Sequence, residues 1–504
     1  MRLLLTTLNS KYIHSNLALK YLYSASGESR RSIDLREFTV NNDDDYIFTE
    51  IIRGRYDVVC FSCYIWNIGR TIDLAENIKK ANWKTRIIMG GPEVSYDAAE
   101  FMKQNPFIDM VIAGEGEAAF GRMLEEAGKE EADYRNIPGL VYRQGGKIYV
   151  NEKPRPASME RLEFPYAMLP LENDKIIYYE SSRGCPNNCA YCLSSIDRGV
   201  RFLPLDRVKT ELDYFLFNRV AQVKFIDRTF NWNEERANEI IRYLIANDNG
   251  VTNFHFELCG DIVGQQFIQL VRNARKGLFQ FEIGIQSTNP RTLDACDRKT
   301  DLPKLKYNIQ RLMETGNIHI HLDLIAGLPF EDYSSFRNSF NDVYAMKPDH
   351  LQLGFLKILK GSPIRDQVEQ YRYIYREQAP YEVISSIFIT ADDMIRLKMV
   401  ENILELYYNR AGFRDTLSYA AAFLAETPFD FYQEFANFYY LKGYQHRSHK
   451  KEDLYRIFMK YAEWKERHLP GTQEKVMELL QWDMDASLNQ EAVRKFERKG
   501  WEIV

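Results

Sequence analysis

The strongest constraint on the fold of this chain is a strict alternation of short apolar runs with helical patterns. It begins at residue 3 and stops near residue 371. In the first part the runs fall at residues 3–7, 33–38, 57–63, 85–89 and 109–112. Helix-period patterns at 16–24, 45–53, 69–80 and 115–125 separate and follow them. Runs this short and apolar read as buried parallel strands, and strand alternating with helix predicts a doubly wound, Rossmann-like α/β sheet. A second series has runs at 176–181, 223–228, 253–258, 279–285, 319–325 and 350–356, with helical patterns at 206–217, 233–246, 264–276, 302–315 and 333–344. Six successive βα units predict a partial (β/α)6 barrel of the TIM type. Between the two series, a hairpin at 140–150 turned by Gly145-Gly146 and a proline-bearing stretch at 154–170 read as a linker. Beyond about Tyr371 the pattern is helical, at 391–410, 434–440, 451–468 and 473–482, with few strands before the terminal Trp501-Glu502-Ile503-Val504. The expected division is an α/β domain at 1–135, a linker and hairpin at 136–170, a barrel at 171–370 and a helical domain at 371–504.

Both α/β architectures place their ligands beyond the C-terminal ends of the strands. At such a place, directly after the first barrel strand, stands Arg183-Gly184-Cys185-Pro186-Asn187-Asn188-Cys189-Ala190-Tyr191-Cys192. Three thiolates in a C-x3-C-x2-C run can hold three irons of a [4Fe–4S] cluster and leave the fourth iron free for a substrate. A structural zinc site would want a fourth ligand close by, and the nearest downstream candidates are His255 and Cys259. A disulfide would leave one thiol over.

Seven cysteines, an odd number in 504 residues, argue against a disulfide framework and for a reducing, cytoplasmic setting. The net charge of −5 does not favour a nucleic-acid partner. The apolar run at the N-terminus is too short for a signal peptide or a membrane span and reads as a first strand. The aromatic stretch at residues 428–440 fits a packed helical core or interface better than a pocket.

The cysteine spacing, the flanking Gly184 and Pro186, and Tyr191 before the last cysteine resemble the signature of the radical S-adenosylmethionine (SAM) superfamily. Ahead of it, Gly90-Gly91-Pro92-Glu93 follows one strand, and Gly114-Glu115-Gly116-Glu117 follows the next and opens a helix. In this order they resemble the cobalamin-binding domain of cobalamin-dependent radical SAM enzymes. The last part resembles a helical extension of unassigned role carried by one branch of these proteins. The resemblance implies a [4Fe–4S] cluster on Cys185, Cys189 and Cys192, with SAM and cobalamin as further cofactors. It places SAM near Asp227, Arg228, Glu257, Gln286, Ser287, Ile325 and Gly327, and cobalamin near Ser62, Gly90, Gly91, Gly114 and Glu115. Any one of these has a plainer reading: Asp227 or Ser287 could simply cap the next helix.

The D-x-H-x-x-G pattern that supplies a cobalt-ligating histidine elsewhere is absent. His14, the only histidine before His255, stands as either a polar loop residue or a group facing the cobalt. Strand alternation sends Cys60 and Cys63 to opposite faces, so they form no site; Cys60 reads as buried filler, while Cys63 at the strand end could touch the cofactor. Cys259, at a strand end, is either a small apolar filler or a hydrogen-atom donor, and the first is favoured. The implied activity is a 5′-deoxyadenosyl radical reaction that methylates an unactivated centre of a small molecule. A radical cyclase or ring-rearrangement enzyme, a methylthiotransferase and a non-catalytic corinoid or SAM sensor stand as alternatives. A low-potential flavodoxin or ferredoxin is the expected electron donor. Substrate and oligomeric state are left open.

Overall fold

In the computed structural model, residues 1–196, 199–489, 491–493, 496 and 500–501 are described. The first sheet runs in the order β2-β1-β3-β4-β5-β6-β7. Its members are β1 (Leu3–Asn9), β2 (Ile33–Thr39), β3 (Val58–Ser62), β4 (Arg86–Gly90), β5 (Met110–Ile112), β6 (Leu140–Gln144) and β7 (Lys147–Val150). Strands β1 to β5 are parallel. Every residue of β1 is buried, as a strand covered by helices on both faces requires. Cys60 and Cys63 fall into two separate cores, one on each side of the sheet. The hairpin at 140–150 is not a linker element: β6 pairs antiparallel with β5 through Met110 and Tyr142, so the first unit runs on to Val150. Leu140 and Tyr142 join the core on one side of the sheet and Val141 the core on the other, and leaving these residues exposed would forfeit their burial.

The second sheet, in the order β15-β14-β13-β12-β11-β8, is a parallel, open half-barrel. It comprises β8 (Ile177–Tyr179), β11 (Gln222–Phe225), β12 (Asn253–Leu258), β13 (Phe279–Gln286), β14 (His319–Ala326) and β15 (His350–Phe355). A short antiparallel pair, β9 (Ser182–Arg183) with β10 (Arg201–Phe202), brackets the cysteine loop. The barrel strands alternate. Phe254, Phe256, Leu258, Phe279, Phe281, Ile283, Ile320, Leu322 and Leu324 pack into the core shared with the outer helices. The intervening Tyr178, Lys224, His255, Glu257, Glu282, His321 and Asp323 turn the other way, into the lumen. The lumen is therefore lined with polar and titratable groups.

The last part opens with β16 (Ile374–Tyr375) paired to β17 (Val383–Ser385). Helices follow at Ala391–Ile403, Arg414–Phe423, Pro428–Leu441, Lys451–Glu466 and Thr472–Ser487, the first continuing into a π-helical turn at Leu404–Asn409. The helix Arg414–Phe423, which buries Thr416, Leu417, Ala420 and Ala421, lies outside the helical patterns read from the sequence. Phe435 packs on Phe458 and Tyr461 at ring separations of 4.9 and 4.7 Å, so the aromatic stretch is core. That core is continuous with the barrel's. Residues 502–504, in the expected terminal run, lie outside the described residues.

Candidate functional site

Three loops at the C-terminal edge of the first sheet press against the barrel and the C-terminal part of the chain. After β1, His14 forms a bridge with Ile176 and its Nδ1 lies 2.7 Å from the Tyr178 hydroxyl. After β4, the buried Glu93 accepts a hydrogen bond of 2.7 Å from Tyr381, and Lys360 pairs with Asp97 at 3.0 Å. After β5, Glu115 and Glu117 meet Arg183 and Arg201 beside the cysteine loop. Any ligand held on this edge therefore faces the barrel. Burial, with the nearby charge of Lys11 and Lys224, pushes the His14 imidazole down towards the neutral form.

The expected cobalamin residues lie along this edge, and much of their bonding is internal. Glu115 is engaged by two guanidiniums. Gly91 sits at φ 110°, and a Cβ there would lie 2.5 Å from the Cys63 carbonyl oxygen. Gly114 closes in the same way on Pro154, and a Cβ on Gly90 would meet the Ile112 carbonyl oxygen at 3.5 Å. The Ser62 carbonyl accepts from Thr7 and Asn67. The Cys63 thiol is fully buried. Sequence reasoning passed over Tyr64 and Trp66, whose rings stack at 4.5 Å on the same edge. Trp66 is 45% exposed and anchored through its indole N–H to the Leu8 carbonyl. An exposed indole face between close-set backbone turns suits a flat ring ligand.

The cysteine loop is held from three sides. Asp227 is buried and accepts from the Ser181 hydroxyl and from the backbone N–H groups of Ser181 and Ser182, at 2.8 and 3.1 Å for the two N–H groups. Its oxygens are thus spent on the loop's entry strand. Burial raises its carboxyl, and those hydrogen bonds oppose the rise. The Ala190 N–H donates to the Cys296 carbonyl at 2.9 Å, and the Ala190 carbonyl accepts from Ile364 at 2.8 Å. Each cysteine sulfur has polar company: Thr229 Oγ1 at 3.7 Å from Cys185, Arg298 Nη1 at 3.6 Å from Cys189 with the Tyr191 hydroxyl beside it, and Ser194 N at 3.4 Å from Cys192. Free thiols with hydrogen-bonding neighbours at each sulfur fit an iron–sulfur cluster, whose potential such bonds tune. Arg298 carried no motif signal, and only the fold brings it to Cys189.

Of the other expected SAM residues, Gln286 and Glu257 are the ones with unspent groups. Gln286 adopts φ 72° at a bulge in β13, and its buried Oε1 has no partner. Strain and an orphaned acceptor at a strand end are signs of a ligand position. Burial pushes Glu257 up to about 7, with Arg228 opposing the rise. Arg228 itself is exposed at the mouth of the lumen. Ser287 is turned away and donates to Glu331 at 2.6 Å. Ile325 packs against the core from its partly buried position, while the Gly327 carbonyl accepts from Tyr373 at 3.1 Å. Cys259 donates to Asp261 at 3.0 Å, and burial pushes its thiol up to about 12, which suits a neutral thiol rather than a nucleophile.

A Rossmann-like sheet set edge-on against an open half-barrel, with three thiols in the loop after the first barrel strand, is the arrangement expected of a radical SAM protein with a cobalamin-binding domain. Residues 3–124 match the B12 binding domain family and residues 179–343 the radical SAM superfamily. The chain thus carries a B12 binding domain followed by a radical SAM domain. Residues 369–501 match a family described as a protein of unknown function, DUF4080. Among relatives, the 2-(S-pantetheinyl)-carbapenam-3-carboxylate methyltransferase of Streptantibioticus cattleyicolor is 27% identical over 336 residues, covering 61% of this chain and 48% of its own. The cobalamin-dependent radical SAM methyltransferase TokK of Streptomyces tokunonensis is 26% identical over 348 residues, covering 62% and 49%. The chain thus spans about half the length of these relatives. The cobalamin-dependent SAM radical enzyme OxsB, solved with aqua-cobalamin, shares the fold at a TM-score of 0.62 and 13% identity, covering 97% of this chain and 81% of its own. Among the described residues no helix is long and apolar enough to cross a membrane.

Proposed function

We propose that this protein is a cobalamin-dependent radical SAM enzyme that methylates an unactivated centre of a small molecule. The observation that carries the reading is the junction itself. The C-terminal edge of the first sheet, the three-thiol loop and the lumen meet at one junction, so two cofactors and a substrate would lie side by side there. When bound, the cluster supplies an electron for cleavage of SAM and the corrinoid supplies a cobalt able to carry a methyl group.

The chain's own residues bind, orient and enclose. Cys185, Cys189 and Cys192 would hold the irons, with Thr229, Arg298 and the Ser194 N–H beside the sulfurs. Asp227 fixes the strand that enters the loop. Glu257 and Gln286 offer polar groups at the lumen for a zwitterionic ligand. The Glu93–Tyr381 and Arg183–Glu117 contacts keep the first sheet against the barrel and limit water. A low-potential flavodoxin or ferredoxin would deliver the electron. The two relatives described above bear methyltransferase names, which supports methylation.

The test is anaerobic reconstitution with iron, sulfide and hydroxocobalamin, followed by desalting, a visible spectrum and metal counts. Retained cluster and cobalt, with SAM turned over to 5′-deoxyadenosine and S-adenosylhomocysteine, would support the reading. A cluster that forms while cobalamin washes out would end cobalt-based methylation.

A further inference from the structure

Below the cysteine loop the barrel lumen carries a second set of ligand-type side chains. Glu282 stands on β13 and is paired in register with His321 on β14, and Asp323 lies two residues further along the same face. One ligand atom from each of the three lies within 4.8 Å of the others. His321 Nε2 is 3.0 Å from an Asp323 oxygen, and His255 Nε2 is 3.0 Å from a Glu282 oxygen. Yet neither ring nitrogen has an aligned hydrogen-bond partner, nor does Asp323 Oδ1. His255 is only 6% exposed and His321 only 9%. Two ligand atoms roughly 3 Å apart but poorly aligned for a hydrogen bond are spaced like neighbours around a metal with bonds of about 2.0–2.2 Å.

Charge points the same way. Three carboxylates, Glu257, Glu282 and Asp323, face this layer, against Lys224 within it and Arg228 at its mouth. Lys224 Nζ and His255 Nε2 both approach Glu282 Oε2, at 2.9 and 3.0 Å. The other Glu282 oxygen is left to the lumen. Buried carboxylates and imidazoles whose partners are shared or poorly aligned are costly, and a divalent cation would satisfy them together.

We propose that Glu282, His321 and Asp323, with His255 beside them, form a divalent-cation site in the barrel lumen, separate from the cysteine loop. One imidazole and two carboxylates with open positions suit a borderline or hard ion such as Zn(II) or Mn(II). The site depends on neither the cluster nor the corrinoid.

The test uses the full-length protein with its cofactors in their oxidised state, treated with EDTA and desalted. Mn(II) is titrated in, and the free ion is read from its six-line EPR signal; Zn(II) uptake is read by mass spectrometry after desalting. The expected result is one saturable Mn(II) per chain, displaced by Zn(II), with a higher Tm in the metal-bound form. Asp323→Asn and Glu282→Gln, which keep side-chain volume, should weaken binding about tenfold or more, as should His321→Ala. Cys185→Ala should lose the cluster and keep the Mn(II). Absence of saturable uptake by the wild type would show an ion network closed by Lys224 and overturn the proposal. Binding unchanged in both isosteric variants, or lost in Cys185→Ala, would overturn it equally.

Discussion

The Tyr381 hydroxyl donates a 2.7 Å hydrogen bond to Glu93, joining the C-terminal part of the chain to the glycine turn after β4. Both residues are buried. Glu93 sits in the loop expected to receive cobalamin, so the C-terminal part helps set the shape of that loop. Tyr381→Phe should leave a buried carboxyl without its donor, at a cost of about 1–3 kcal/mol. A lower Tm and faster proteolysis near residue 381 would register it, while Glu93→Gln, whose amide can still accept from the phenol, should cost less.

Gly91 is required by its surroundings. At φ 110°, with a Cβ position 2.5 Å from the Cys63 carbonyl oxygen, an added methyl meets backbone that cannot swing aside. Gly91→Ala should destabilise by about 2 kcal/mol or more. Gly145→Ala provides the control: its φ is 57° but nothing lies within 4 Å of the Cβ position, so the change should cost about 1 kcal/mol. Urea midpoints of the two variants measure the difference.

Asp227 holds the strand that enters the cysteine loop. Asp227→Asn replaces one accepting oxygen by an NH2 group and breaks part of the set donated by Ser181 and Ser182. Iron retained after reconstitution should fall several-fold. Cys259→Ser, by contrast, keeps a donor towards Asp261 and should retain full iron. Iron counts per chain decide both.

Glu331 gives stability a pH dependence. Burial pushes its carboxyl from 4.5 up to about 7, with Ser287 and Ser339 donating to it at 2.6 and 2.9 Å in partial opposition. A carboxyl raised on folding favours the folded state while protonated. Its contribution is fully present below about 4.5 and is lost as the pH rises through about 7, on the order of 3 kcal/mol over that window. The Tm of the wild type should decline across pH 5–8, and Glu331→Gln should flatten the decline. An equal slope in both proteins would refute this assignment.

Element order, the two α/β units and the cluster loop were legible in the sequence, because these depend on local spacing. Apolar runs of strand length between helix-period patterns admit few folds, and the three cysteines lie within eight residues at 185–192. The site beyond them was legible only in part. Glu257 and Gln286 sit at strand ends as expected, but Asp227 and Ser287 are spent on internal hydrogen bonds and Glu115 on two arginines. Nothing local distinguishes a carboxylate awaiting a ligand from one already paired. Arg298 beside Cys189 and the lumen layer of Glu282, His321 and Asp323 arise from residues far apart in the chain or on different strands. Folding alone brings these groups together, since strand register and the meeting of the two sheets determine which side chains share a space.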